Sequence, residues 1–423
     1  MMLSALSRRI VQNGNLCKVS GFQSPQKDFR SPLCYFKAKT RLLGNTCQNV
    51  RTTTLRRMAV AAGVAAEKGA VEVSQRSQRI VGYWFLGCTG MVGCMVSLGG
   101  ITRLTESGLS ITKWDLIKGM VPPLSQKAWE DEFSVYQEFP EYKYKNSDMT
   151  VEEFKFIWLM EYAHRMWGRA IGLVYALPAS YFWYKGWFTK QTKPRVLILG
   201  GLLLIQGVYG WYMVKSGLED DPESTTIPRV SHYRLATHLT LAFLFYTGLL
   251  WSGLTHLLNF HDIVQTKQLQ KFKRLAFSTK GLVFLTAISG AFVAGLDAGL
   301  VYNSYPKFAD RWIPTDLMAL EPKWKNWFDN PTAVQFLHRL LGEVSFCTIA
   351  YMWYANRKMP MPPRTRMALN SLVIIICTQV GLGITALLMY VPTWCGALHQ
   401  IGALTTLSSA VWLTHELRKV PKI

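Results

Sequence analysis

Four of the eight histidines lie at matching positions in two similar halves of the chain. His164 and His338 each begin the pattern His-Arg-x-x-Gly, and His238 and His399 each end the pattern Ala-x-His. All four lie in apolar stretches, where an ionisable side chain is costly and marks a functional site. Two imidazoles at equal depth on two helices of a bundle are the ligands that bis-histidine coordination of haem iron requires. The sequence therefore predicts two haem sites, one in each half.

Two other interpretations of these histidines remain at this point. A single histidine within a membrane often hydrogen-bonds a neighbouring helix, although that role gives no reason for the pair to recur. Zinc or copper could use the same nitrogens, but the pairs lack the Cys, Asp or third His that such cages prefer. The cysteines after residue 57 lie in apolar stretches without a CxxC pattern, so they predict neither a zinc site nor a disulfide framework.

Three arginines are candidates for binding the haem propionates. Arg165 and Arg339 directly follow the first histidine of each pair, and Arg103 ends the first apolar stretch. The guanidinium group suits carboxylates because its donors form a planar fork. Contact with lipid phosphate is the alternative role.

The two halves differ one helical turn before the first histidine of each pair. Glu161 precedes His164 by three residues, whereas Gln335 precedes His338. Residues three apart share a helix face, so the carboxylate is expected beside the haem in the first half. A half-buried carboxylate can exchange protons or stabilise a developing cation, which an amide cannot do. We therefore interpret the first half as catalytic through Glu161 and the second as an electron-carrying site; orientation of a ligand is the alternative role for Glu161.

Eight apolar stretches of about 20 residues, the length that crosses a bilayer, must position these side chains. They are residues 80–101, 157–184, 196–214, 235–255, 277–296, 334–354, 368–390 and 394–415. The repeat assigns four stretches to each half, so the halves are parallel rather than inverted. The predicted fold is an all-α polytopic membrane protein of two pseudo-symmetric four-helix bundles, residues 79–255 and 277–417.

The net charge of +21 is unevenly distributed along the chain. Residues 1–57 carry 11 basic residues and one acid, which is typical of a mitochondrial transit peptide; a basic arm for nucleic acid or lipid is the alternative. The connections after the second, fourth and sixth stretches and the C-terminal tail hold 16 basic and two acidic residues, against 14 and 19 in the opposite loops. The positive-inside rule then predicts an inner-mitochondrial-membrane protein with both termini in the matrix and the haem sites near the intermembrane space. Nothing in the charge calls for nucleic acid.

The first loop on the intermembrane side is long and has helix signals of its own. Ser125 is expected to cap a short amphipathic helix, and Thr150 with Glu153 is expected to form a capping box at the start of the second stretch.

With these residues identified, the chain resembles the haem A synthase family over residues 79–417. The motifs that carry the resemblance are Gly99-Gly-Ile-Thr-Arg-Leu-Thr-Glu-Ser-Gly-Leu-Ser110, Pro122-Pro123 with Trp129, Glu161-Tyr-Ala-His-Arg-Met-Trp-Gly-Arg169, Asn303-Ser-Tyr-Pro306 and the four histidines. The resemblance implies oxidation of the C8 methyl group of haem o to the formyl group of haem a. In the family this is regarded as two successive oxidations, through a hydroxymethyl intermediate and a gem-diol that loses water.

The resemblance also implies roles for individual residues. His164 and His238 would hold the haem o substrate and haem a product, Glu161 would be essential, and His338 and His399 would bind haem b, which passes electrons. The implied partners are inner-membrane lipid, a matrix ferredoxin as electron donor, haem o synthase and oxidase assembly factors. Glycines in the first stretch would permit a homo-oligomer, although packing within the chain explains them equally well.

Two competing functions fit part of the pattern. A dihaem b-type electron carrier explains both histidine pairs but leaves the difference between Glu161 and Gln335 without a role. A haem transporter or assembly scaffold would need only weak ligation and no redox reaction.

Overall fold

The computed structural model describes residues 73–115, 118–218, 229–260 and 263–418. The predicted transit peptide, residues 1–57, lies outside these ranges. Within them the regular elements are helices, and the only β-type pairing is an isolated bridge between Phe308 and Arg311. The structure confirms the predicted all-α fold of a polytopic membrane protein.

Eight helices of 24 residues or more dominate the described part of the chain. They are α1 (Gln75–Leu104), α2 (Val151–Tyr184), α3 (Thr192–Gly217), α4 (His232–Leu257), α5 (Lys267–Gly295), α6 (Pro331–Asn356), α7 (Pro363–Leu388) and α8 (Thr393–Glu416). Five of these, α1, α3, α4, α5 and α7, are long and apolar enough to cross a membrane. The other three carry His164, His338 and His399 together with their polar neighbours, so their composition is less apolar. A count of eight spans therefore stays a prediction.

The outer surface of the helices suits lipid rather than water. On α3, Leu197, Ile198 and Leu204 are 64%, 64% and 74% exposed. Such a contiguous exposed apolar surface is unusual for a soluble protein but is the normal exterior of a membrane bundle.

The helices contact one another in the same order in both halves. In the first half α1 packs against α2 and α4, and α3 packs against α2 and α4; in the second half α5 packs against α6 and α8, and α7 packs against α6 and α8. The halves meet where α1 and α4 pack against α8 and where α4 packs against α5. Each half is thus a closed ring of four helices whose interior receives side chains from all four.

The loop between α1 and α2 folds into a small structure over the first bundle. Ser125 caps the helix Gln126–Gln137 by accepting a hydrogen bond from the amide of Ala128, and Thr150 and Glu153 form the predicted capping box. Phe133, Tyr136 and Phe154 are buried together at the centre of this loop structure. Both capping predictions are confirmed, and the second fixes where α2 begins.

Candidate functional site

The histidine pair of the second bundle has the spacing that a shared metal ion needs. The ring centroids of His338 on α6 and His399 on α8 are 6.3 Å apart, and the ring planes are inclined by 83°. Two imidazoles on opposite sides of one iron have centroids about 6 Å apart, because a metal–imidazole bond is about 2 Å long and the ligating nitrogen lies about 1 Å from the ring centre. The predicted pairing of these two histidines is therefore compatible with haem ligation.

The histidine pair of the first bundle comes from α2 and α4, and His164 and His238 lie within electrostatic range of each other. Nδ1 of His164, His238 and His399 is buried and has no hydrogen-bond partner in the described part of the chain. Buried polar atoms are normally paired, so three imidazoles without a partner at Nδ1 are not fixed by protein groups alone, which suits side chains that a bound group would hold through the other ring nitrogen. The residues present fit haem in both bundles.

Each histidine faces a glycine of the preceding long helix. A Cβ atom at Gly99 would lie 2.9 Å from Cε1 of His164, and one at Gly383 would lie 2.8 Å from Cε1 of His399. The corresponding distances are 3.2 Å from Gly290 to His338 and 3.4 Å from Gly210 to His238. The four glycines let the imidazoles approach the neighbouring helix more closely than a side chain would allow.

A glutamine one turn before the glycine contacts the second histidine of each pair. Gln206 Nε2 lies 3.1 Å from His238 Nε2 and donates to the backbone carbonyl of His238 at 3.1 Å. Gln379 Nε2 lies 3.5 Å from His399 Nε2 and donates to the carbonyl of His399 at 2.9 Å. The repeat therefore extends from the histidines to the residues that surround them.

Glu161 is buried and accepts hydrogen bonds both from Arg165 on α2 and from the loop after α1. Its Oε1 accepts from Nη2 and Nε of Arg165 at 2.6 and 3.0 Å. Its Oε2 accepts from Ser110 Oγ at 2.7 Å and from the amide of Ile111 at 2.8 Å. The carboxylate thus holds a loop beside the first histidine pair as well as pairing with Arg165.

Gln335 holds a loop in the second bundle in the same way, but it donates hydrogen bonds to the loop where Glu161 accepts them. Its Nε2 donates to the carbonyls of Ala298 and Tyr302 at 2.7 and 3.2 Å, and its Oε1 accepts from Arg339 at 3.0 Å. Here the loop offers carbonyl oxygens where the first loop offers O–H and N–H donors. An amide is therefore required at Gln335 for the same reason that a carboxylate suits Glu161.

The three predicted propionate ligands differ in how many donors they have left. Arg165 uses four of its five N–H groups, because it also donates to the carbonyls of Ile111 and Lys113. Arg339 uses three, and its buried Nε has no partner. Arg103 pairs with Asp297 at 2.9 Å across the two halves. Arg103 thus has three N–H groups left, Arg339 two and Arg165 one, and propionate binding by all three stays a prediction.

The described residues contain no cluster of three or more His, Cys, Asp or Glu side chains that could hold a metal ion. That observation removes the cage that zinc or copper would prefer. The fold and the site define a class: a helical membrane protein with one histidine pair that fits haem in each of two similar bundles.

Comparison with known proteins identifies the family within this class. Residues 82–411 match the family model COX15-CtaA, described as cytochrome oxidase assembly protein. Heme A synthase COX15 of Mus musculus is 58% identical over 356 residues, covering 84% of this chain and 86% of the relative. Heme A synthase COX15 of Saccharomyces cerevisiae is 40% identical over 383 residues, covering 84% and 79%, and heme A synthase of Nitrosospira multiformis is 41% identical over 345 residues, covering 81% and 94%. The chain belongs to the cytochrome oxidase assembly protein family.

Sequence reasoning gave no role to two groups of residues around the histidines. The glycines that face them could have been found, because the internal repeat matches Gln206-Gly-Val-Tyr-Gly210 with Gln379-Val-Gly-Leu-Gly383. The loop donors to Glu161 could not, since Ser110 and Ile111 are about fifty residues away and belong to no periodic pattern.

Proposed function

We propose that this chain is a haem A synthase of the mitochondrial inner membrane, which oxidises the C8 methyl group of haem o to the formyl group of haem a. The observation that carries the proposal is the duplicated histidine pair, with its matching glycines and glutamines, in a chain of this family. A site for one haem alone would need only one bundle. Two similar sites with different polar surroundings suit a protein in which one haem is the substrate and the other is a resident cofactor.

The first bundle is proposed as the substrate site. His164 and His238 bind the iron of haem o and later of haem a, and the loop over residues 105–115 covers that site. Glu161 is the residue proposed to be essential to the reaction, since it is buried one turn from His164 and carries a charge that Gln335 lacks. Because its oxygens are occupied by Arg165, Ser110 and Ile111, it fixes the loop and Arg165 in place. A group other than these donors can exchange a proton with Glu161 only by displacing one of them.

The second bundle is proposed as the electron-carrying site, with His338 and His399 as ligands. Haem b bound there would supply one-electron transfer to and from the substrate site. Arg339 contributes its free Nε–H to a propionate group, while Gln335 holds the loop over residues 298–304. Both termini are proposed to lie in the matrix, where a ferredoxin would deliver electrons.

Extraction of the pigments and assay of turnover test this proposal. Purified protein should yield haem b together with haem o or haem a, and added haem o should be converted to haem a in the presence of a reductant system. Recovery of haem b alone, at two equivalents per chain and without turnover, would instead establish an electron carrier. Loose haem binding without redox activity would establish a transporter or scaffold.

A further inference from the structure

The first histidines of the two pairs differ in what contacts their Nδ1 atoms. Nδ1 of His164 is buried without a hydrogen-bond partner, whereas Nδ1 of His338 lies 2.7 Å from Oγ of Ser289 on α5. Ser289 immediately precedes Gly290, the glycine that faces His338. At the matching position in α1, immediately before Gly99, the residue is Leu98.

The direction of the hydrogen bond at Ser289 follows from its other contact. Its hydroxyl donates to the carbonyl oxygen of Thr286 at 2.7 Å, which uses its single hydrogen. With that hydrogen on the carbonyl of Thr286, the oxygen accepts from His338, and Nδ1 of the imidazole carries the proton. The other ring nitrogen, Nε2, keeps its lone pair for a metal ion. Ser289 therefore fixes the tautomer and the rotation of His338 in the form that ligation requires.

Ser289 belongs to a short polar chain that occurs in the second bundle. Thr286 Oγ1 lies 2.9 Å from Ser345 Oγ, and this contact joins α5 to α6. Thr286 is one turn before the glycine, and Ser345 is two turns after the histidine. The corresponding residues of the first bundle are Met95, Leu98 and Ile171, all apolar. Near His338 hydrogen bonds join the helices, whereas the corresponding positions near His164 have apolar side chains.

We propose that Ser289 is a positioning residue that makes the second bundle retain its haem, and that Leu98 at the equivalent position leaves His164 free to release its haem as product. The inference rests on the proposed function, because it requires haem at both histidine pairs. An enzyme that turns over one haem and keeps another needs different off-rates at two sites with the same ligands. A hydrogen bond to the outer nitrogen of a ligand is the kind of support whose loss typically costs tenfold to a hundredfold in metal affinity, roughly.

The test measures haem loss from the full-length protein in detergent to an excess of apomyoglobin, with haem type identified after extraction. Ser289→Ala is expected to accelerate loss of haem b by roughly tenfold to a hundredfold and to shift its midpoint potential to a more positive value, because an imidazole that no longer donates from Nδ1 is a weaker ligand. Ser289→Thr, which keeps the hydroxyl, should restore the wild-type rate. Ser409→Ala is the matched control, since Ser409 is a buried helical serine whose hydroxyl donates only to the carbonyl of Thr405.

The reciprocal variant Leu98→Ser supplies a hydroxyl at the same register in the first bundle and should slow the release of haem o or haem a. Unchanged haem b loss and potential in Ser289→Ala, or unchanged release in Leu98→Ser with the variant folded and loaded, would overturn the inference. Failure of the wild-type protein to hold any haem would instead refute the proposed function, and the two failures are therefore distinguishable.

Discussion

In the first bundle a carboxylate accepts hydrogen bonds from a loop, and in the second bundle an amide donates them to a loop. Glu161 and Gln335 occupy the same position before a histidine, each pairs with the arginine four residues later, and each holds the connection that follows the preceding helix. The difference between Glu161 and Gln335 is thus matched by the polarity of the loop that each one binds. A carboxylate at this position is explained structurally before any catalytic role is assigned to it.

The second difference between the bundles is the residue that the preceding helix places beside the first histidine. His338 is supported by Ser289, while His164 has an apolar neighbour at that position. The first bundle therefore has a charged residue that holds its loop and a first histidine without a hydrogen bond at Nδ1. The second bundle has a neutral residue that holds its loop and a first histidine whose Nδ1 contacts Ser289. That combination suits a substrate site beside a cofactor site. Variants in each bundle test whether the first binds the substrate and the second binds the cofactor.

Removal of one ligand from each pair should have the largest effect. His338→Ala is expected to abolish haem b binding and leave haem o or haem a in place, and His164→Ala should do the reverse, because the proposed function assigns one haem to each bundle. Pigment extraction from the two purified variants provides the measurement. If either variant, still folded by circular dichroism, lost both pigments equally, the division into two independent sites would be wrong.

Exchange of the carboxylate and amide at Glu161 and Gln335 should have the next largest effect. Glu161→Gln is expected to leave haem bound but to reduce haem a formation by at least about 100-fold, the range in which a lost acid–base or charged group falls. Gln335→Glu removes the donor to Ala298 and Tyr302, so it should loosen the second loop and affect haem b retention more than the reaction. Haem a formation at the wild-type rate in Glu161→Gln would exclude Glu161 from the mechanism.

A second variant separates the two possible actions of Glu161. Ser110→Ala removes one loop donor to the carboxylate and leaves its charge and its pairing with Arg165 unchanged. A loss of turnover as large as that in Glu161→Gln would assign Glu161 to positioning of the loop. Little change in turnover would indicate that the charge itself is needed.

Substitution of the glycines that face the histidines should have a smaller effect, and it should increase as the added Cβ comes closer to the ring. A Cβ at Gly99 would lie 2.9 Å from His164, so Gly99→Ala forces the ring or α1 to move and is expected to cost about 1–3 kcal/mol. Gly290→Ala, at 3.2 Å from His338, should cost less. Gly87→Ala is the control because no atom lies within 4 Å of the added methyl group. Haem titration and thermal unfolding should then rank Gly99 above Gly290 and Gly290 above Gly87, and equal effects at all three would contradict the proposed close approach.

The sequence was sufficient to predict the helices and to place the four histidines at equivalent positions, because apolar length and internal repetition are both visible in one dimension. The predicted stretch 157–184 begins six residues after α2 does, since the polar first turns of α2 are stabilised by the capping box rather than by hydropathy. The partners of Glu161 depend on how the loop after α1 returns to α2, which no periodicity encodes. Ser289 was not distinguishable beforehand, because a serine in an apolar helix most often bonds only its own backbone.

A feature confined to the first bundle gives the smallest expected effect. Glu141, in the short helix Pro140–Lys145 of the first loop, is buried and accepts a hydrogen bond from Tyr136 Oη at 3.0 Å. Burial raises the pKa of its carboxyl to about 7, with the negative charges of Glu161 and Glu106 adding to the effect and Lys145 opposing it. The second bundle has no equivalent buried carboxyl in the described part of its loops, so a pH-dependent stability should arise in the first loop.

The sign of that dependence follows from proton binding. Between the ordinary carboxyl pKa and about 7, the folded protein holds a proton that the unfolded chain has lost, so the free energy of unfolding falls as pH rises. From pH 6 to pH 8 the wild-type protein should lose about 1 kcal/mol, whereas Glu141→Gln, which stays neutral and still accepts from Tyr136, should lose less. Glu138→Gln, an exposed site in the same loop, should behave as the wild type does. Thermal unfolding in detergent at the two pH values measures the difference, and identical pH profiles for Glu141→Gln and the wild type would mean that the first loop does not bind this proton.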